Sequence, residues 1–182
     1  ISDDGPFLPE SGRYHLYVSH ACPWAHRTVL ARSLLGLEHH VSVDVVDWRM
    51  NDDGSWSFNP EEPGATVDSV NGEDHLEAVY RRAYAAWTAE GNIGTVPVLW
   101  DKKTGTIVNN ESRDIIRMFG TLARGVGSAS TLCPEGLTAA IDAMITANYE
   151  TVNNGVYKSG FARNQSAYEL SRIHISEPTR PN

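Results

Sequence analysis

Apolar and polar positions alternate with period two in residues 13–19, "RYHLYVS", where aromatic and β-branched side chains mark a strand. The spacing then changes in "PWAHRTVLARSLLG". Pro23 suits a first helical position, Leu30 and Leu34 share one face, and Gly36 supplies the stop. Residues 40–46, "HVSVDVV", return to period two with Val41, Val43 and Val45 on one side. The order is β-α-β, with Cys22 at the first strand-to-helix turn.

Residues 47–92 lose this regularity. They are polar, rich in Gly, Asn, Asp and Pro, and include "DDGSWSFNPEEPG". One short helix is expected near 74–86; a loop of this length in a compact domain is functional or partly disordered. "TVPVLWD" (95–101) and "GTIVNN" (105–110) read as a third and fourth strand joined by a hairpin turn at "KKTG". In "ESRDIIRMFG", Ser112, Ile115, Ile116 and Phe119 take helical spacing, and Gly120 is expected to end that helix. Residues 121–136 read as a Gly/Ser-rich linker. From Leu137 an amphipathic helix places Ile141, Met144, Ile145, Asn148 and Val152 on the same stripe. No internal repeat or low-complexity tract interrupts this order.

The 182 residues suffice for one domain, or one domain and part of another. A net charge of −8 argues against a nucleic-acid or anionic-membrane partner, each of which needs a basic face. No apolar run approaches the ~20 residues of a membrane span, and no basic-then-apolar leader opens the chain. The start at Ile1 leads us to expect further sequence upstream. Two cysteines far apart in sequence do not make a disulfide framework, so a reducing, cytoplasmic setting is expected. The absence of a Cys/His cluster leads us to expect no metal; His39-His40 reads as a solvated loop pair.

Cys22 is where chemistry is expected. A thiol at a helix N-terminus meets unpaired N–H groups and the positive end of the helix dipole, which favour thiolate, and His26 and Arg27 one turn in add positive potential. A buried, inert cysteine is the plain alternative; the Cys-Pro step at a strand-helix junction weighs against it. Ala25 stands where a dithiol motif carries its second cysteine. A mixed disulfide at Cys22 must then be resolved by an external thiol. This points to exchange in which Cys22 attacks a glutathionyl sulfur and a second glutathione regenerates it. A hydroxyl at this junction would support conjugation; a cysteine points to removal of glutathione from a substrate.

Two further motifs complete a glutathione cradle. In a thioredoxin-like domain the proline of "TVPV" is usually cis and exposes the backbone of the residue before it, so that Val96, followed by Pro97, pairs with the glutathione backbone as an added strand does. An ordinary edge-strand proline is the alternative. "NNES" puts Glu111 and Ser112 in a first helical turn, where Glu111 accepts from an ammonium and Ser112 donates to a carboxylate, matching the zwitterionic γ-glutamyl end. In isolation this motif is a helix cap.

"RYHLYVSHACPWAHRT", "TVPVLWDKKTGTIVNNES", "DIIRMF" and "NNGVYKSGFA" together closely resemble the glutathionyl-hydroquinone reductases, the xi-class glutathione transferases, from about residue 7 to 169. The resemblance implies an α/β thioredoxin-like N-terminal domain over 1–122 with the 47–92 insertion. A linker (123–136) and the start of an all-α glutathione-transferase C-terminal domain (137–169) follow, in a family that is usually homodimeric. It implies that glutathione and a glutathionyl-hydroquinone yield hydroquinone and glutathione disulfide. It makes Cys22 the catalytic nucleophile, gives Trp56, Val96, Pro97, Glu111 and Ser112 to glutathione, and gives Tyr157 to the hydroquinone. A loop anchor filling a groove is the alternative for Trp56, and a core tyrosine is the alternative for Tyr157.

Two departures matter. The family commonly has an arginine two residues before the "TVPV" threonine; here Ile93-Gly94 precede Thr95, so one charged glutathione contact is either lost or supplied from elsewhere, with Arg81 and Arg82 as candidates and the replacement left open. The family's helical domain also runs well past Glu169 and carries further tyrosines. An omega-like thioltransferase or dehydroascorbate reductase, or a glutathione-binding module without catalysis, are the other readings. Cys133-Pro134 lacks a preceding strand and reads as structural or incidental. In 170–182, "IHISEPTR" resembles the conceptual translation of a sequencing-library adapter, with Arg172 before it departing from that pattern. That segment shows no helical periodicity, and Pro178 and Pro181 oppose a helix there. The chain is expected to be a fragment of a longer protein with a non-native tail.

Overall fold

All six residues of β1 (Tyr14–Ser19) are buried, and this strand organises the first half of the chain. The computed structural model describes residues 1–87 and 93–176. β1 leads through α1 (Pro23–Leu34) to β2 (Val41–Val46), which pairs with it in parallel from Tyr14↔Val41 to Ser19↔Val46. On its other side β1 takes β3 (Val98–Asp101) antiparallel, from Tyr14↔Asp101 to Tyr17↔Val98, and β4 (Thr106–Asn109) closes the hairpin. The sheet order is β2-β1-β3-β4. β3 begins later than the alternation predicts, because Pro97 has no N–H to give to a ladder.

Both faces of β1 are covered, the polar one included. Its polar side chains face polar groups inside the protein. His15 Nδ1 lies 2.7 Å from Ser42 Oγ and Nε2 3.2 Å from the Asp44 carboxylate. Tyr17 donates its hydroxyl to Asp68 at 2.8 Å, and Ser19 donates to the Asp47 carbonyl at 3.0 Å. Two of these partners, Ser42 and Asp44, belong to β2 and the other two, Asp47 and Asp68, to the long excursion, which packs down as part of the core rather than trailing off. Asp68 organises it: its carboxylate accepts the N–H groups of Val70 and Asn71 at 3.0 Å each and of Glu73 at 3.2 Å. Burial, with the Asp68 carboxylate adding to it, pushes the Tyr17 hydroxyl well above its ordinary range. The expected short helix is α2 (Leu76–Ala83); residues 88–92, the end of the expected insertion, lie outside the described residues.

Helix faces differ from the pattern in two places. Leu30 and Leu34 of α1 are exposed, and the helix packs instead through Ala25, Thr28 and Ala31, whose small side chains bring α1 close to the sheet and to the next helix. α1 ends as expected at Gly36, φ +69°, where Gly36 N–H reaches Ser33 and Leu37 N–H reaches Arg32. The second difference is α3 (Ser112–Gly125), which runs through Gly120 because Leu122 and Ala123 continue its buried stripe. The same glycine-ended geometry appears at Gly127 instead, φ +82°. Ser128 then donates to the Leu35 carbonyl at 2.9 Å, so the beginning of the expected linker belongs to the first compact unit, which extends to Leu132.

The residues from Cys133 onward form a second compact unit. It comprises α4 (Thr138–Asn148), a π-helical turn (Tyr149–Asn153), α5 (Asn154–Gly160) and α6 (Gln165–Ser176). The predicted stripe from Leu137 is broken by the π turn before Val152, and no residue of α4 is buried. α6 continues across residues 170–176, where no helix was expected; 177–182, with Pro178 and Pro181, lie outside the described residues.

The β1–β3 pairing is fastened at one end by a buried fork. Arg13 donates Nε to Asp101 Oδ1 at 2.9 Å and Nη2 to Oδ2 at 2.6 Å. Burial raises the Asp101 carboxyl, but the bonds from Arg13, Thr104 and the Lys103 N–H outweigh it and hold the group below the usual carboxylate range. Asp101→Ala strands the guanidinium without its partner and should lower the unfolding free energy by about 3–5 kcal/mol in a denaturant titration. A carboxyl depressed in the fold stabilises it above the unfolded pKa and loses that contribution as pH falls through the folded one. The decline in stability below the ordinary carboxylate range should therefore be shallower in Asp101→Ala than in the unaltered chain.

Candidate functional site

The antiparallel ladder of β1 and β3 ends at Tyr17↔Val98, so the chain leaving β1 for the turn that carries Cys22 passes the Val96-Pro97 segment that leads into β3. Cys22 caps α1 in an extended conformation, donating its N–H to Ser19 O at 3.2 Å and accepting from His26 N at 2.9 Å. The half-buried thiol donates to the Val96 carbonyl at 3.5 Å. The expected hydrogen bonds from helix amides to this sulfur are not formed. Pro23 at the first helical position has no N–H, and the sulfur is turned toward Val96 instead. Val96 is buried and its bond to Pro97 is cis.

Glu111 and Ser112 arrive at the N-terminus of α3. Glu111 donates its N–H to Asn109 Oδ1 at 2.6 Å, and its carboxylate accepts from Arg113 N at 3.1 Å, so it caps its own helix. Ser112 is buried and donates to Glu111 Oε1 at 3.2 Å. Arg27 does not stand over Cys22. It crosses from α1 to α3, giving Nε and Nη2 to Ser112 Oγ at 2.8 and 2.6 Å and Nη2 to Glu111 Oε1 at 3.3 Å.

Tyr80 is a contributor that the sequence pattern did not single out. Its hydroxyl donates to the Thr95 carbonyl at 2.9 Å and accepts from Asn110 Nδ2 at 3.1 Å. Thr95 precedes Val96 and Asn110 precedes Glu111, so one buried phenol ties the two segments of the cradle together. Only the helical phase of α2 placed Tyr80 inward with Leu76 and Val79, and its two partners are distant in sequence.

Trp56, Arg81, Arg82 and Tyr157 make other contacts. Trp56 is buried in the core, with its carbonyl held by Leu76 N at 2.9 Å and its N–H by Glu77 Oε2 at 3.4 Å. Its indole nitrogen is buried without a hydrogen-bond partner among the described residues. Burial pushes the Glu77 carboxyl up, and it sits so close to Gly94 that a Cβ there would meet Glu77 Oε1 at 3.0 Å. Arg82 pairs with Glu73, while Arg81 lines a surface cavity with Asp53, His75, Glu77 and Ile93. Tyr157 belongs to the second unit, half-buried and stacked on Phe161 at 6.2 Å. Cys133 Sγ lies 3.3 Å from Thr138 Oγ1.

Residues 21–122 match the family model described as glutathione S-transferase, N-terminal domain. The chain is 49% identical to the glutathionyl-hydroquinone reductase YqjG of Escherichia coli K12 over 174 residues, 95% of this chain and 52% of that protein. It is 47% identical to the glutathione S-transferase omega-like 2 of Schizosaccharomyces pombe, across 90% of this chain and 52% of that one. The glutathione-bound structure of the Escherichia coli K-12 protein superposes with a TM-score of 0.88 at 47% identity, covering 96% of this chain and 56% of that chain. The chain thus spans about half the length of these relatives.

Tyr80→Phe removes the hydroxyl while keeping the ring, leaving the Thr95 carbonyl without that donor and the Asn110 amide without that acceptor. The unfolding free energy should fall by about 1–2 kcal/mol in chemical denaturation. An unchanged midpoint would mean that the phenol fills space and ties nothing.

Proposed function

The chain belongs to the xi class of the glutathione transferases, and from that premise we propose that it carries the glutathione-binding and thiol-bearing half of a glutathionyl-hydroquinone reductase. The observation that carries this reading is the meeting of Cys22 Sγ with the Val96 carbonyl at 3.5 Å, beside a cradle whose other wall is Glu111 and Ser112. Val96, with Pro97, offers its backbone to the glutathione peptide; Glu111 takes the γ-glutamyl ammonium and Ser112 the carboxylate. Trp56 is the fifth glutathione residue by resemblance, acting from its buried position by shaping the loop.

Cys22 thiolate attacks the glutathionyl sulfur of the substrate. A sulfur–sulfur bond forms, the bond from sulfur to the aromatic carbon breaks, and its electron pair leaves with the ring and takes up a proton. A second glutathione thiolate then attacks the mixed disulfide, which frees Cys22 and yields glutathione disulfide. Glutathione is therefore both co-substrate and reductant, and the site needs no metal. Tyr157, donating to the phenolic oxygen next to the breaking bond, is the proposed hydroquinone contact. A homodimer working in the cytoplasm is the proposed setting.

The name of the Schizosaccharomyces pombe relative favours a second reading, an omega-like thioltransferase or dehydroascorbate reductase using the same cysteine. Rates on a glutathionyl-hydroquinone and on a glutathione mixed disulfide separate the two: the proposed reductase turns over the first faster. Cys22→Ser should bind glutathione but lose turnover. Intact-mass analysis of the unaltered protein with substrate alone should show one added glutathionyl group that free glutathione removes. Turnover retained in Cys22→Ser would overturn the mechanism.

A further inference from the structure

We propose that Arg27 is a glutathione-selecting residue that receives the α-carboxylate of the γ-glutamyl group. The inference rests on the glutathione reading of Glu111 and Ser112 and adds to it the cation that the sequence left unassigned. Arg82 is paired with Glu73, and Arg81 lines the surface cavity that also takes in Asp53, His75 and Glu77. Arg27 reaches both Glu111 and Ser112, 3.3 Å from the carboxylate of one and 2.6 and 2.8 Å from the hydroxyl of the other.

The arrangement is an oriented ion pair at the mouth of a helix N-terminus. An α-amino-acid head is also an ion pair, with its ammonium and carboxylate on one carbon. Laid head to tail against Arg27 and Glu111, it sets its carboxylate on the guanidinium and its ammonium on Glu111, so each charge faces its opposite. Ser112 Oγ is at present a neutral acceptor for Arg27. A ligand carboxylate offers the guanidinium a charged acceptor with two oxygens, the geometry its planar fork fits best. Ser112 is then released to donate to the same carboxylate.

Two features fix the guanidinium for this task. It lies over the Trp24 ring, 4.7 Å from the centroid. Its side chain is only 27% exposed, so solvent screens it less than a surface arginine. Arg27 and Cys22 also share the first turns of α1. One rigid helix therefore sets the distance between the carboxylate anchor and the sulfur that must meet the cysteine of the tripeptide.

The test compares binding of glutathione by calorimetry with that of two analogues, one lacking the γ-glutamyl α-carboxylate and one lacking the α-amino group. The unaltered protein should bind the decarboxylated analogue roughly tenfold more weakly than glutathione, the size expected for losing a charge-assisted bond. Arg27→Gln should weaken glutathione by a similar factor yet bind the decarboxylated analogue as the unaltered protein does. The penalty for losing the amino group should persist in Arg27→Gln, because Glu111 remains. Arg27→Lys should recover part of the affinity. Equal weakening of all three ligands in a folded Arg27→Gln protein would make Arg27 merely structural and overturn the proposal. Glutathione binding indifferent to Arg27 would overturn this role alone. No glutathione binding to the unaltered protein would overturn the functional reading and this role together.

Discussion

The site depends on the antiparallel register between β1 and β3. Antiparallel pairing runs the end of one strand past the beginning of the other. β1 finishes in the turn that carries Cys22, and β3 starts after Val96-Pro97, so the register Tyr17↔Val98 brings a thiol and a backbone carbonyl together although 74 residues separate them. A slip of one residue would turn every β3 side chain to the opposite face. The Arg13–Asp101 fork resists such a slip from the far end of the same pairing, where Tyr14 faces Asp101.

The long excursion is the second determinant. Its polar composition suits a solvated loop, yet Asp68, Ser69 and Asp47 satisfy groups on β1 and β2 that would otherwise be buried unpaired. Burial raises the Asp44 carboxyl, and the bonds from His15 and Ser69 more than offset this, leaving it below its usual range. The excursion thus finishes one face of the sheet with hydrogen bonds where a helix would use apolar packing. It also delivers α2, and with α2 the phenol of Tyr80 that joins the Val96 segment to the Glu111 segment. The loop is far from Cys22 in bonding terms but decides how firmly the cradle is held.

Charge is distributed economically around the cradle. Arg27 follows the cysteine closely in sequence but turns away to α3, leaving Val96 as the nearest hydrogen-bonding partner of the sulfur. The catalytic end and the recognition end of one helix are thereby separated by about one turn. The second unit contributes helices whose apolar residues, among them Leu137, Met144, Val156 and Phe161, remain exposed.

The sequence by itself determined the β-α-β start, the hairpin, the positions of α1 and α2 within a few residues, and the residue types of the cradle. These follow from local rules: period two or 3.6, proline at a first helical turn, glycine at a left-handed stop. It also carried a resemblance specific enough to name a class. It misjudged the end of α3 at Gly120 and the amides expected at Cys22, and it left open which faces of α1 and β1 are covered. Each of those depends on what packs against the element, and periodicity cannot distinguish a solvated polar side chain from one that meets a partner fifty residues away. Only the tertiary structure decided that Arg27 serves Glu111 and Ser112, and that Tyr80 ties Thr95 to Asn110. Side-chain reach across two helices and a loop is set by their packing distance, which no linear pattern encodes.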